Sequence, residues 1–227
     1  MQATVIPGPP LGPGIETSSP EVVLAALGRF DLDMSWQTAG PTVVPMLPRW
    51  RAYPSETGDR VSVTLPPGIE VGFGLDLGPA VAFVVGEQVS RWGIDRVELV
   101  AAALTNVRRR AQRMRPRDVV QATIAGVPMR IVQTGEGVAS ALLLVADALP
   151  RLIGSDPQLL LAPMRDVLIT LPPDVDPDFA AWLAVDFASA DPNGLDVGLF
   201  PFEGGRVVRE LIGGGAPPER SAAGLMH

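Results

Sequence analysis

Apolar and polar positions change period several times along the chain, and the changes divide it into elements. The first regular signal is "RVSVTL", residues 60–65, which alternates with period two as a half-buried strand does. "IEVGFGL" and "AVAFVV" follow as apolar strand-like runs separated by Gly78-Pro79. From Ile94 to Met114 the period lengthens. Val97, Val100, Leu104, Val107, Ala111 and Met114 recur at spacings of three and four, which predicts an amphipathic helix with one apolar stripe.

"VVQATI" and "MRIVQT" flank Ala125 to Pro128 and predict a hairpin. Residues 136–149, "EGVASALLLVADAL", are apolar almost all round, the pattern of a helix buried on several sides. "QLLLAP" and "RDVLITL" read as two further strands, Pro177 to Ser189 as a helix, and "LDVGLFPF" and "RVVREL" as a closing pair turned by Glu203, Gly204 and Gly205. Consecutive strands joined by short turns pair antiparallel. The expected class is therefore α+β, an antiparallel sheet built from hairpins with helices packed mainly on one face.

Proline and glycine set the outer limits. Residues 1–20 are too rich in both to pack a core and read as a flexible tail, and 213–227 likewise. A single domain is expected over 21–212, opened by a short helix that Ser19 caps with Pro20 at its first position. Residues 31–58, punctuated by Pro41, Pro45, Pro48 and Pro54, read as irregular.

Composition removes whole classes of chemistry. The chain has no cysteine and no lysine, all its basic side chains are arginine, and its one histidine is the terminal His227. Thiolate catalysis, Schiff-base or phosphate-loop lysines, and histidine-assisted nucleophiles are thereby closed. A metal, if bound, would be a hard ion held by oxygens. The net charge of −7 argues against nucleic acid as a partner. No apolar run approaches the ~20 residues of a membrane span. A cytoplasmic, soluble protein without cofactor is expected.

Three motifs invite chemistry. Asp174, Asp176 and Asp178 imitate the opening of a calcium loop, but Phe179 stands where the loop needs glycine and Val185 where it needs glutamate. Asp176 as a helix cap, with Pro177 at the first helical position, fits every residue. "GFGLDLG", 72–78, has its third glycine misplaced for a dinucleotide loop, and Pro79 leads into an apolar strand rather than a helix. The arginines 108, 109, 110, 113, 115 and 117 gather in the second half of the long helix and just past its end; Arg109, Arg110 and Arg113 oppose its apolar stripe and could meet an anionic partner or solvent.

Arg165 and Asp166 open an apolar run and are candidate binding residues with those arginines. Alternation along a strand would turn Arg165 inward, paired with Asp186 or Asp147, and leave Asp166 nearer solvent.

Taken together, "QVSRWGIDRVELVAAALTNVRRR", "GVASALLLVADALPRLIG", "LLLAPMRDVLITLP" and "LDVGLFPFEGG" resemble the YtpQ-like bacterial proteins over about residues 70–205. The features carrying the resemblance are the Trp92-Gly93 step, Asn106, Ala139 with Ser140, and Arg165-Asp166. The family has no assigned activity, so the resemblance implies a bacterial cytoplasmic domain and no particular chemistry. The expected role is a binding or protein-interaction module without catalysis, its partner an unknown protein or a small anionic ligand. The alternative is a carboxylate-dependent, metal-assisted hydrolase or transferase.

Overall fold

The structure is a computed structural model that describes residues 21, 33–48, 60–78, 81–190, 194–195 and 198–208. It has the expected α+β class, built on two antiparallel sheets. The first is assembled on β3 (Ile69–Asp76), against which β1 (Val43–Met46), β2 (Ser62–Leu65) and β4 (Val81–Phe83) all pair antiparallel. Gly72 and Gly74 lie inside β3 rather than in a ligand loop. A Cβ on Gly74 would stand 2.3 Å from a Val81 methyl, so the close approach of β4 requires glycine there.

β1 falls within the stretch that its prolines mark as irregular. Among the described residues it is an edge strand, paired only with β3, and an edge tolerates Pro45 because a missing N–H costs nothing on the unpaired side. Short helix α1 (Trp36–Ala39) precedes it, and α2 (Gly86–Trp92) follows β4.

The long helix α3 spans Arg96–Arg113. Asp95 caps it by accepting the Glu98 backbone N–H at 2.8 Å, and Arg110 and Arg113 occupy the last turn, where cations complement the helix dipole. Its buried stripe differs in phase from the sequence expectation at the N-terminal end: Leu99 and Ala103 are buried, whereas Val97 is 74% exposed. The reason is that α3 serves two cores. Leu99 and Ala103 pack on the first sheet with Val43, Phe73 and Leu75. One turn on, Val107, Ala111 and Met114 join the larger core of the second sheet.

That second sheet has six strands in the order β10-β9-β7-β8-β6-β5. β5 (Val119–Ile124) and β6 (Val127–Val132) form the predicted hairpin, closed by Ala125 and Gly126 at φ 51° and 83°, the geometry of a two-residue primed turn. β7 (Gln158–Met164) and β8 (Val167–Leu171) are the central pair; β9 (Leu199–Glu203) and β10 (Arg206–Val207) complete it. One face packs on α3 and on the segment 140–153 through Val132, Leu160, Leu168, Phe200 and Phe202. The other packs through Met129, Ile131, Leu161 and Ile169 on α5 (Pro177–Ala190), the helix predicted over 177–189.

Residues 136–149 are buried as expected but do not form a continuous helix. Two 3-10 turns, Ser140–Leu144 and Ala146–Ala148, are separated by Val145 at φ −131°, and a four-residue helix α4 (Pro150–Ile153) follows. Apolar content on all sides signals burial, but it does not distinguish a helix from compact irregular chain when the start of the segment is held by another element. The terminal tails and the helix expected after Ser19 lie outside the described residues.

Candidate functional site

The sequence-predicted charges fall into two arrangements. Arg110, Arg113, Arg165 and Asp166 converge where the two sheets meet. Asp76, the last residue of β3, lies with its Oδ2 2.6 Å from Arg110 Nη1 and 3.8 Å from Arg165 Nη2. Both Asp76 and Arg110 side chains are only 13% exposed. Arg110 also donates to the Glu136 carbonyl at 3.1 Å, and Arg113 pairs with the Glu136 carboxylate at 3.0 Å. Gly137, at φ 65°, lets the loop pass over Arg165: a Cβ there would sit 3.0 Å from the guanidinium carbon.

Arg165 and Asp166 do not open a strand. They are the turn between β7 and β8, so alternation of faces does not apply to them, and the expected assignment is reversed. Asp166 is the buried member, 4% exposed, and Arg165 is half-buried. The Asp166 carboxylate accepts from Thr134 N (3.1 Å) and Oγ1 (2.6 Å), from Gly135 N, and from Val138 N (3.1 Å) and Ala139 N (3.4 Å). Five donors satisfy a buried charge without a cation. Ser140 completes the lock by donating its hydroxyl to the Arg165 carbonyl at 2.7 Å.

Neither carboxylate proposed as the partner of Arg165 plays that part. Asp186 is exposed on α5, where the buried stripe runs through Ala180 and Leu183 while Trp182, on the Asp186 side, is 51% exposed. Asp147 is exposed as well and faces Arg108 at 3.6 Å.

Arg109 is held elsewhere. It donates to the Pro41 carbonyl (3.0 Å) and to Asn106 Oδ1 (2.9 Å), while the buried Asn106 amide donates to the Gly40 and Val43 carbonyls, both at 2.8 Å. Asn106, Ser140, Arg165 and Asp166 are thus polar joints between elements, and Ala139 contributes its backbone N–H to Asp166. The aspartate triad does not form a cation cage: all three residues are exposed, and Asp176 Oδ1 accepts the Asp178 backbone N–H at 2.9 Å as a cap does. Among the described residues no group of three acidic or histidine side chains gathers to hold a metal.

The second sheet presents two features that no sequence motif marks. The first is its β5 edge. The primed turn makes Ile124–Val127 a hydrogen-bonded pair, so Ala122 and Val120 also bond to β6, a phase continued by Gln133 N donating to the Asp118 carbonyl at 3.1 Å. The backbone groups of Val119, Gln121 and Thr123 therefore point outward, with no strand beside them among the described residues.

The second is a groove of about 430 Å3 on the face shared with α4. Gln121, Arg130 and Thr170 form one row across it, as successive cross-strand partners. Gln158 is diagonal to Thr170, whose own partner is Leu160. Extending the register would set Pro128 opposite Pro172; neither can donate to the ladder, the β6–β8 pairing stops at Arg130–Thr170, and the groove opens there. Its members stand out only as single polar residues, Arg130, Gln158 and Thr170, in otherwise apolar strands, with Pro128 in β6 and Pro172 just past β8; the register that joins them was not legible.

No family model, curated protein or solved structure matches the chain.

Proposed function

We propose that the protein is a non-catalytic interaction module that takes an extended segment of a partner protein along β5. The β5 edge, free among the described residues, carries this reading. Natural sheets protect their edges with charge, proline, bulges or very short strands. "VVQATI" uses none of these: it is six residues long, has no charged residue, pairs with β6 without a bulge, and leaves Val120 50% exposed. The opposite edge, β10, is two residues long and is blunted in the usual way. An added strand gains main-chain hydrogen bonds from Val119, Gln121 and Thr123, with side-chain pockets on alternate faces setting specificity.

The arginine-bearing helix supports the same choice by elimination. Arg109, Arg110 and Arg113 are engaged by their own chain, so the sheet is the better docking element. Acidic side chains such as Asp76, Asp95, Asp166 and Asp176 are likewise committed to ion pairs, loops and caps, which favours binding over carboxylate chemistry.

A displayed peptide library selected on the full chain tests the proposal. Binders should be extended sequences free of proline at alternate positions, and each should slow hydrogen exchange at the amides of Val119, Gln121 and Thr123. The amides of Val120, Ala122 and Ile124, already bonded to β6, should change little. Binders that leave the three outward amides unprotected would sink the edge reading.

A further inference from the structure

The groove beside β5 holds polar groups that the fold itself does not use. Thr170 and Gln158 line it, 4% and 8% exposed. The Thr170 hydroxyl has no hydrogen-bond partner among the described residues, an unusual state for a buried group. Gln158 donates long bonds, 3.4 Å to the Ile153 carbonyl and 3.3 Å to that of Asp156, which orient its amide and leave Oε1 without a donor. Arg130 donates one Nη1 bond to the Ile153 carbonyl and makes no ion pair among the described residues, so most of its five donors remain available. Asp156 stands exposed on the groove lining.

These groups have a definite order. Arg130 and Thr170 are cross-strand partners on one face, about 5 Å apart, and the diagonal step to Gln158 is about 7–8 Å. A cation and a hydroxyl therefore sit together, with a carbonyl acceptor one step away and a carboxylate nearby. A carboxylate fits the first pair, and a hydrogen-bond donor fits the second. The volume is within the roughly 300–1,000 Å3 of small-molecule sites.

We propose that this groove is a binding site for a small carboxylate bearing a hydroxyl or amine on the adjacent carbon, with Arg130 and Thr170 holding the carboxylate and Gln158 accepting from the neighbouring donor. Its binding groups Arg130, Gln158 and Thr170 lie on β6, β7 and β8 rather than on the β5 edge, so it stands independently of strand docking. A neutral polyol would leave the guanidinium without a counter-charge. A simple carboxylate would leave the Gln158 oxygen unused.

Amide NMR titrations of the full chain with glycolate, glycine, acetate and ethylene glycol test it. Glycolate, glycine or both should move the signals of Gln121, Arg130, Gln158 and Thr170 and bind at least about tenfold more tightly than acetate or ethylene glycol. Thr170→Val, which keeps the shape of the side chain, should weaken that binding about tenfold or more while the remaining spectrum stays folded. Arg130→Gln should abolish it. Absence of shifts at these residues with both glycolate and glycine, equal affinity for acetate, or undiminished binding by Thr170→Val would each overturn the proposal.

Discussion

The carboxylate of Asp166 accepts both the backbone N–H and the hydroxyl of Thr134, at 3.1 and 2.6 Å, across 32 residues of chain. With Gly135, Val138 and Ala139 also donating, one buried side chain sets the path of the whole 134–139 loop. Asp166→Asn keeps the shape but replaces an acceptor by a donor aimed at donors. It should cost about 3 kcal/mol in a denaturant melt, the scale of bonds to a charged acceptor plus unsatisfied N–H groups. A change within ~0.5 kcal/mol, typical of surface positions, would show that the loop holds itself.

The ion pairs of α3 should differ sharply in worth. Arg110 and Asp76 are each 13% exposed, so removing one leaves a poorly solvated charge; Arg110→Met should cost roughly 3 kcal/mol. Arg108 and Asp147, 47% and 69% exposed at 3.6 Å, gain little from each other, and a double-mutant cycle there should give less than about 0.5 kcal/mol. The same cycle on Arg110 and Asp76 should give a coupling well above 1 kcal/mol, moderated because Arg165 remains 3.8 Å from Asp76. Equal couplings at the two sites would contradict the burial argument.

Asp176 should matter to helix α5 and not to cations. Its Oδ1 accepts the Asp178 N–H at 2.9 Å, so Asp176→Ala should lower stability by about 1 kcal/mol. Calorimetry with millimolar calcium should show no binding that depends on this residue. Micromolar affinity abolished by the substitution would restore the metal reading.

What was legible in the sequence was local. The three- and four-spaced apolar series from Val97 to Met114 reveals α3, and two β-rich runs around Ala125-Gly126 reveal the hairpin, because periods and turns act within a few residues. Most of the misreadings involve distant partners. The buried segment 136–149 looks helical until Asp166, some 30 residues on, anchors its entry. Arg165 looks like a strand residue because the β7–β8 turn contains neither glycine nor proline. The arginines of α3 are plainly a cluster, but their partners Asp76 and Glu136 lie on separate elements, and periodicity carries no information about either. The groove depends on register across β5, β6 and β8, so its members are scattered through the chain as ordinary strand residues.

Thr170 offers a test of whether that groove is held at a cost. It occupies the middle of the sheet, buried, with Arg130 on one side and Leu160 on the other. A buried hydroxyl without a partner loses its water on folding and regains nothing, a penalty of about 1–3 kcal/mol. Valine has the same branched shape, favours strands, and carries no polar atom to desolvate. Thr170→Val should therefore stabilise the ligand-free protein by about 1 kcal/mol and raise its melting temperature, a gain of the kind found where a natural residue serves binding rather than folding. Addition of glycolate or glycine should raise the melting temperature of the natural protein and leave that of the variant nearly unchanged, since only the protein that binds is stabilised by mass action. If Thr170→Val instead lowers stability by more than about 0.5 kcal/mol, the hydroxyl already has a partner in the folded protein and is a structural group.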